Sequence, residues 1–113
     1  MNSGRTGGNT IKIYVAGPYT KPDPIKNVHK AIDVANLLMD MGHVPFVPHM
    51  SHFFHILHER PWEYWLQQDL EWLPVCDALL RIPGESRGAD LEVAEALRRG
   101  IPVYRSLDEL NNV

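Results

Sequence analysis

Residues 77–104 read DALLRIPGESRGADLEVAEALRRGIPVY, and this stretch decides the fold. Asp77–Ile82 is a short, largely apolar run bounded by turn signals, as expected of a strand in the middle of a sheet. Pro83-Gly84-Glu85-Ser86-Arg87-Gly88 is a turn. Ser86 suits an N-cap, a helix follows from about Gly88 to Arg99, and Gly100 is placed to stop it. Ile101–Tyr104 is then a short further strand. Strand, helix and strand in this order make a parallel crossover unit, which is right-handed in nearly all proteins.

The same alternation extends upstream. Ile11–Val15 (IKIYV) is β-rich, and Ala16-Gly17-Pro18-Tyr19 follows as a turn. Asp23 and Pro24 look like an N-cap and a first-position proline. Ile25, Val28, Ile32, Ala35, Leu38 and Met39 recur at spacings of three and four, which predicts an amphipathic helix ending at Gly42. His43–Val47 reads as a second strand, and Pro45 assigns it to a sheet edge. A loop rich in His, Phe and Pro runs to about Arg60. Pro61 opens a helix carrying Trp62, Trp65, Leu66, Asp69, Leu70 and Leu73, and Pro74 closes it. Ser106 and Glu109 have capping-box spacing for a last helical turn.

Four strands alternating with helices predict an α/β chain: a small Rossmann-like three-layer fold with a mainly parallel four-stranded sheet flanked by helices. Residues 11–113 form one domain in this reading, behind a flexible tail over residues 1–10. Ligands of such sheets bind at the C-terminal strand ends, near the switch in strand order. The loops after Val15, Val47 and Ile82 therefore carry the candidates.

The 113 residues hold 11 Lys and Arg against 14 Asp and Glu, a formal charge of −3. That argues against a binder of nucleic-acid polymer, which needs a basic face. A single small anion is compatible with it, because helix N-termini and loop amides hold one phosphate without net positive charge. One cysteine, Cys76, forms no internal disulfide, and cytoplasmic placement is the default expectation. No apolar run reaches the ~20 residues of a membrane helix, so no membrane partner is expected. Apolar helices at 61–73 and 88–99 leave surface to cover, so a homo-oligomer, a dimer or higher, is expected.

Three segments contain candidate chemistry. Tyr14–Tyr19 ends a strand in a glycine turn that lets backbone amides approach a ligand. Ser86–Glu92 joins the third strand to a helix. The amides behind Ser86 suit an anion, and Glu92 lies among apolar neighbours (Leu91, Val93, Ala94, Leu97) where an ionised carboxylate is placed as a nucleophile. Asp69 has Trp65 and Leu73 four residues to either side, so it sits on the apolar stripe of its helix. It is either a buried aspartate holding a loop or a general acid with a raised pKa. His49, His52, His55 and His58 recur every three residues. No carboxylate or cysteine completes a ligand pattern, so no metal or other cofactor is expected. Nearby Phe53, Phe54, Trp62, Tyr64 and Trp65 suit stacking of a flat base or a plain core.

Taken in order, IYVAGPY at 13–19, QQDLEWLPVCDALL at 67–80 and SRGADLEVAEALRRGIPV at 86–103 resemble the nucleoside 2-deoxyribosyltransferase superfamily, including its nucleoside 5′-monophosphate N-glycosidases. The resemblance implies a catalytic set in which Glu92 is the nucleophile at the anomeric carbon, Asp69 assists departure of the base and Tyr14 orients the nucleophile. It implies a substrate and phosphate region at Gly17, Pro18, Tyr19, His49, Ser86 and Gly88. Ser86, where the transferase branch tends to carry an acidic residue, points to the nucleotide-using branch. The implied activity is hydrolysis of the base–sugar bond of a (deoxy)ribonucleoside 5′-monophosphate. The alternatives are base exchange on a deoxynucleoside and a non-catalytic nucleotide-binding module. The implied partner is a small nucleotide or nucleoside.

Overall fold

A computed structural model describes residues 10–111. The flexible tail expected over residues 1–10 therefore lies almost wholly outside the described residues. Four parallel strands, β1 (Lys12–Ala16), β2 (Val44–Phe46), β3 (Ala78–Arg81) and β4 (Val103–Tyr104), form one sheet in the order β2-β1-β3-β4. In register, Tyr14 lies beside Phe46 on one side and Leu79 on the other, and Leu80 lies beside Tyr104. The two central strands are the apolar ones, and β2 with its Pro45 is an edge.

Five helices surround the sheet: α1 (Pro24–Asp40), α2 (Ser51–Leu57), α3 (Trp62–Trp72), α4 (Arg87–Arg98) and α5 (Leu107–Asn111). Asp23 caps α1 by accepting from the N–H groups of Ile25 at 3.0 Å and Lys26 at 3.3 Å. The helix ends at Gly42, whose φ of 86° is left-handed and therefore suits glycine. Ser86 caps α4 through the N–H of Ala89 at 3.0 Å. Ser106 caps α5 through Glu109 N–H, and the Glu109 carboxylate turns back to Arg105 N–H.

Alternation of side chains along each strand divides the core in two. Ile13, Val15, Leu80 and Ile82 pack with Ala31 and Leu38 of α1 and Leu110 of α5. On the other face Tyr14, Ala16 and Leu79 pack with Leu73, Cys76 and the α4 residues Ala89, Val93 and Ala96. The arrangement is the three-layer α/β fold expected from the sequence.

The differences are local. The loop expected between Val47 and Arg60 contains a 3₁₀ turn at Pro48–Met50 and the helix α2. α2 buries none of its residues, so it lacks the one-sided apolar pattern that reveals a helix in a sequence. On α1 the buried face is Val28, Ala31, Ala35 and Leu38, and Ile25, Ile32 and Met39 are exposed on its flank. On α4 Leu91 and Leu97 are exposed, and the buried stripe is Ala89, Glu92, Val93 and Ala96. Glu92 is thus one of the core-facing positions itself, rather than a neighbour of them.

Candidate active site

The chain turns back on itself at the strand order. β1 leads outward to β2, and β3 then starts on the opposite side of β1. The loops after β1 and β3 consequently diverge and leave a crevice between them. A cavity of about 650 Å³ lies there, lined by Gly17, Tyr19, His49, Asp69, Ser86, Gly88 and Glu92, among others. Each of three loops supplies part of the wall: β1–α1, β2–α2 and β3–α4. Of the catalytic and substrate residues implied by the resemblance, Tyr14 and Pro18 do not line it, and neither do His52, His58, Phe53, Phe54 and Tyr64 from the histidine and aromatic run. Tyr14 and Pro18 lie directly behind residues that do.

Tyr14 is fully buried at the centre of the sheet, and its hydroxyl donates to Glu92 Oε2. Glu92 is only 6% exposed. Burial pushes its carboxyl up to about 7, against the opposing pull of the Tyr14 hydrogen bond and the Arg81 charge. Asp69 is the only buried residue of α3. Burial, reinforced by the negative charge of Glu92, raises it to about 8. Tyr14 is raised too, by burial and then by the two carboxylates, so it stays a neutral donor. Near neutral pH the site therefore holds two acidic groups close to their titration points, in different surroundings. Glu92 has a phenol donor and a nearby cation that favour its charge. Asp69 has neither, and is the one more readily kept protonated.

Pro18 joins the three loops from behind. Its carbonyl accepts from His49 Nε2 at 2.9 Å, which fixes the proton of the neutral ring on that nitrogen. Burial holds His49 below the usual histidine range, so the ring stays neutral. The Pro18 ring packs against Gly84, where a Cβ would stand 2.7 Å from Pro18 Cγ. Gly84 also has a φ of 125°, so glycine is required there on two counts. Gly17 is required for closeness: a Cβ there would lie 2.9 Å from the Cβ of Ile82. Gly88 is less constrained, since a Cβ would meet Trp62 at an ordinary 3.6 Å.

The other histidines disperse. His52 shares a hydrogen bond with the Tyr19 hydroxyl at 2.7 Å, and Trp65 Nε1 donates to His55 Nδ1 at 2.9 Å. Among the described residues no group of three or more His, Cys, Asp or Glu side chains is placed to hold a metal ion. Sequence reasoning singled out Trp62 and Trp65 as a possible stacking surface but missed the cations beside them. Lys21, Arg60 and Arg87 line the cavity with Trp62 and Trp65, and the Arg87 guanidinium lies 5.4 Å from the Trp62 ring centroid. It also missed Arg81, discussed below. A charged residue in the otherwise apolar ALLR strand was the available signal.

Residues 11–106 match the family described as a domain of unknown function, DUF7768. The chain belongs to the DUF7768 family. A comparison of this DUF7768 chain with curated proteins gives no match. Among solved structures it is similar to a 2-deoxyribosyltransferase from the psychrotolerant bacterium Bacillus psychrosaccharolyticus. The identity is 29% and the TM-score 0.59, over 81% of this chain and 69% of that one. It is also similar to a 2-deoxyribosyltransferase from Leishmania mexicana, at 20% identity and a TM-score of 0.60. Here the DUF7768 chain again aligns over 81% of its length but spans only 61% of the relative. The DUF7768 domain thus has the deoxyribosyltransferase fold, with Glu92, Asp69 and Tyr14 gathered at its strand ends. No helix among its described residues is long and apolar enough to cross a membrane.

Proposed function

We propose that the domain transfers the glycosyl group of a nucleoside-type substrate, with Glu92 as nucleophile and Asp69 as general acid and base. The observation that carries the reading is one constellation. A nine-tenths-buried glutamate receives a tyrosine hydroxyl and shares an open cavity with a second buried carboxyl. The 2-deoxyribosyltransferase neighbours favour a 2-deoxyribosyl donor and a second base as acceptor.

The ionised Glu92 attacks C1′, and the C1′–N bond breaks with its electron pair passing to the base nitrogen. The protonated Asp69 gives that base its proton. The product is a glycosyl ester on Glu92 and an aspartate anion. An incoming base then attacks C1′, loses its proton to Asp69 and regenerates the Glu92 carboxylate. Two displacements at one carbon retain the anomeric configuration, as in retaining glycosidases. Tyr14 holds the Glu92 oxygen in place and steadies its charge before attack. Trp62 and Trp65 offer flat surfaces for the base.

One observation favours a second reading, hydrolysis of a nucleoside 5′-monophosphate. The N-terminus of α4, Ser86, Arg87 and Lys21 all border the cavity, and together they suit a phosphate. Capping by Ser86 uses an oxygen lone pair, which leaves its O–H proton able to donate to a ligand. Water in place of the incoming base then gives free base and sugar phosphate.

The test uses two incubations read by chromatography, each repeated with the Glu92→Gln variant. A 2′-deoxynucleoside with a different free base is expected to yield the exchanged nucleoside. A nucleoside 5′-monophosphate without acceptor distinguishes hydrolysis by the release of base. Either activity is expected to vanish in Glu92→Gln, and activity that survives that substitution sinks the mechanism.

A further inference from the structure

We propose that Arg81 is a positioning residue that ties the β3–α4 loop to the first turn of α4 and thereby sets where Ser86 and Glu92 stand in the cavity. The inference rests on the reading of Glu92 as the reacting carboxylate. Arg81 is the last residue of β3 and is only 7% exposed. It points to the same side of the sheet as Leu79, toward α4, because residues two apart on a strand share a face. An apolar side chain would fill that position without desolvating a charge, so core packing alone gives no reason for a guanidinium.

What the guanidinium does there is specific. Nη1 donates to the carbonyl of Ile82, the next residue in the chain. Nη2 donates to the carbonyl of Gly84 at 2.9 Å and to the Asp90 carboxylate at 2.9 Å. One planar group therefore joins the end of the strand, the tip of the loop and the helix. Ser86 lies between Gly84 and Asp90, so both ends of the segment that carries the cap are fixed. The clamp extends further, since Gly84 packs against Pro18 and Pro18 holds His49. Of the three guanidinium nitrogens of Arg81, Nε is the one buried without a hydrogen-bond partner.

The same charge acts on Glu92, two residues beyond Asp90 on α4. Glu92 is faced by Tyr14 from β1, by Asp69 from α3 and by Arg81 from β3, and His49 lines the same cavity. Of the charged groups among these, Arg81 is the cation, so its loss makes ionisation of Glu92 harder. Arg81 touches no reacting atom in this account. It acts through the loop and through Glu92.

The decisive experiment reads Glu92 directly. The carboxyl carbon of Glu92 is titrated by ¹³C NMR, with its signal assigned by its absence in Glu92→Gln. In Arg81→Met the midpoint is expected to rise by about one pH unit, and in Arg81→Lys to return toward the wild-type value. Amide hydrogen exchange over residues 83–88 is expected to accelerate in both, because lysine keeps the charge but not the planar fork. A folded Arg81→Met with an unmoved midpoint and unmoved exchange overturns the proposal. If that variant does not fold, Asp90→Asn opens only the exposed end of the clamp. It is expected to accelerate exchange over 83–88, and unchanged exchange there overturns the proposal as well. None of these readouts requires turnover. A shifted midpoint in a protein that cleaves no nucleoside would uphold Arg81 and reject the glycosyl-transfer reading.

Discussion

The two faces of the sheet are built from the same strands and solve different problems. Toward α1 and α5 the strands present Ile13, Val15, Leu80 and Ile82, which pack in a hydrophobic cluster with Ala31, Leu38 and Leu110. Toward α3 and α4 the same strands present Tyr14 and Arg81 beside Ala16 and Leu79, and the helices add Asp69 and Glu92. A one-residue step along β1 or β3 separates a pure core position from one that faces the buried carboxyls. The first face has only to exclude water. The second accepts the desolvation of a cation and two carboxyls, a burden that packing does not require and the proposed chemistry does.

That contrast can be broken in several places. The largest effect is expected at Glu92→Gln, which should lower turnover of a nucleoside by about 10³-fold or more while the protein stays folded. It should also be more stable than wild type at pH 8. Burial raises the Glu92 carboxyl to about 7 from 4.5, so the folded state binds a proton that the unfolded state has released. Stability contributed by the neutral form is thus present at low pH and lost as pH rises from about 4.5 through 7. Asp69, raised from 3.8 to about 8, adds a loss of the same sign that continues to pH 8. The melting temperature of wild type should fall across this range, and less steeply in Glu92→Gln or Asp69→Asn. A flat profile in wild type would remove the claim that the second face is burdened.

On the opposite face Leu38→Ala should cost about 3 kcal/mol in denaturant melts and leave activity per folded molecule unchanged. A change in activity would mean the two faces are not separable. Tyr14→Phe should lower turnover by about 10- to 100-fold, since a hydrogen bond to a charged group contributes ~1.5–3 kcal/mol. The acid limb of its pH–rate profile should move up, because the lost donor favoured ionised Glu92. Gly17→Ala should destabilise by about 1–2 kcal/mol, as its Cβ is forced against Ile82. The smallest effect is expected at Glu95→Gln. Arg98 and Arg99 hydrogen-bond this carboxylate and hold it down at about 2, but the pairs lie on the solvent side of α4, with both arginines exposed. Its removal should leave the melting temperature unchanged at physiological salt.

Much of the architecture was legible because its signals are local. Asp23-Pro24, Gly42, Ser86 and Gly100 mark helix ends through their own backbone chemistry, and the alternation of short apolar runs with helices implies a parallel sheet. The gathering of Tyr14, Asp69 and Glu92 was legible from where strands end and from their resemblance to known motifs. Two things were not. α2 buries nothing, so no periodicity announces it. Arg81 acts through three partners on two further segments, a relation that exists only once β3 and α4 are packed. The flanks of α1 and α4 were misjudged for a related reason. An apolar residue beside a stripe looks like part of it until the neighbour is known, as Ile25 and Leu97 show.

The outer strands have a consequence of their own. β2 is three residues long with a proline at its centre, and β4 is two residues long directly after Pro102. An edge this brief, interrupted or bordered by a residue that cannot donate, is a poor template for a strand from another molecule. The sheet is therefore finished at both sides despite having only four strands. Backbone pairing with another molecule is thereby blunted at the two outer strands of the described sheet.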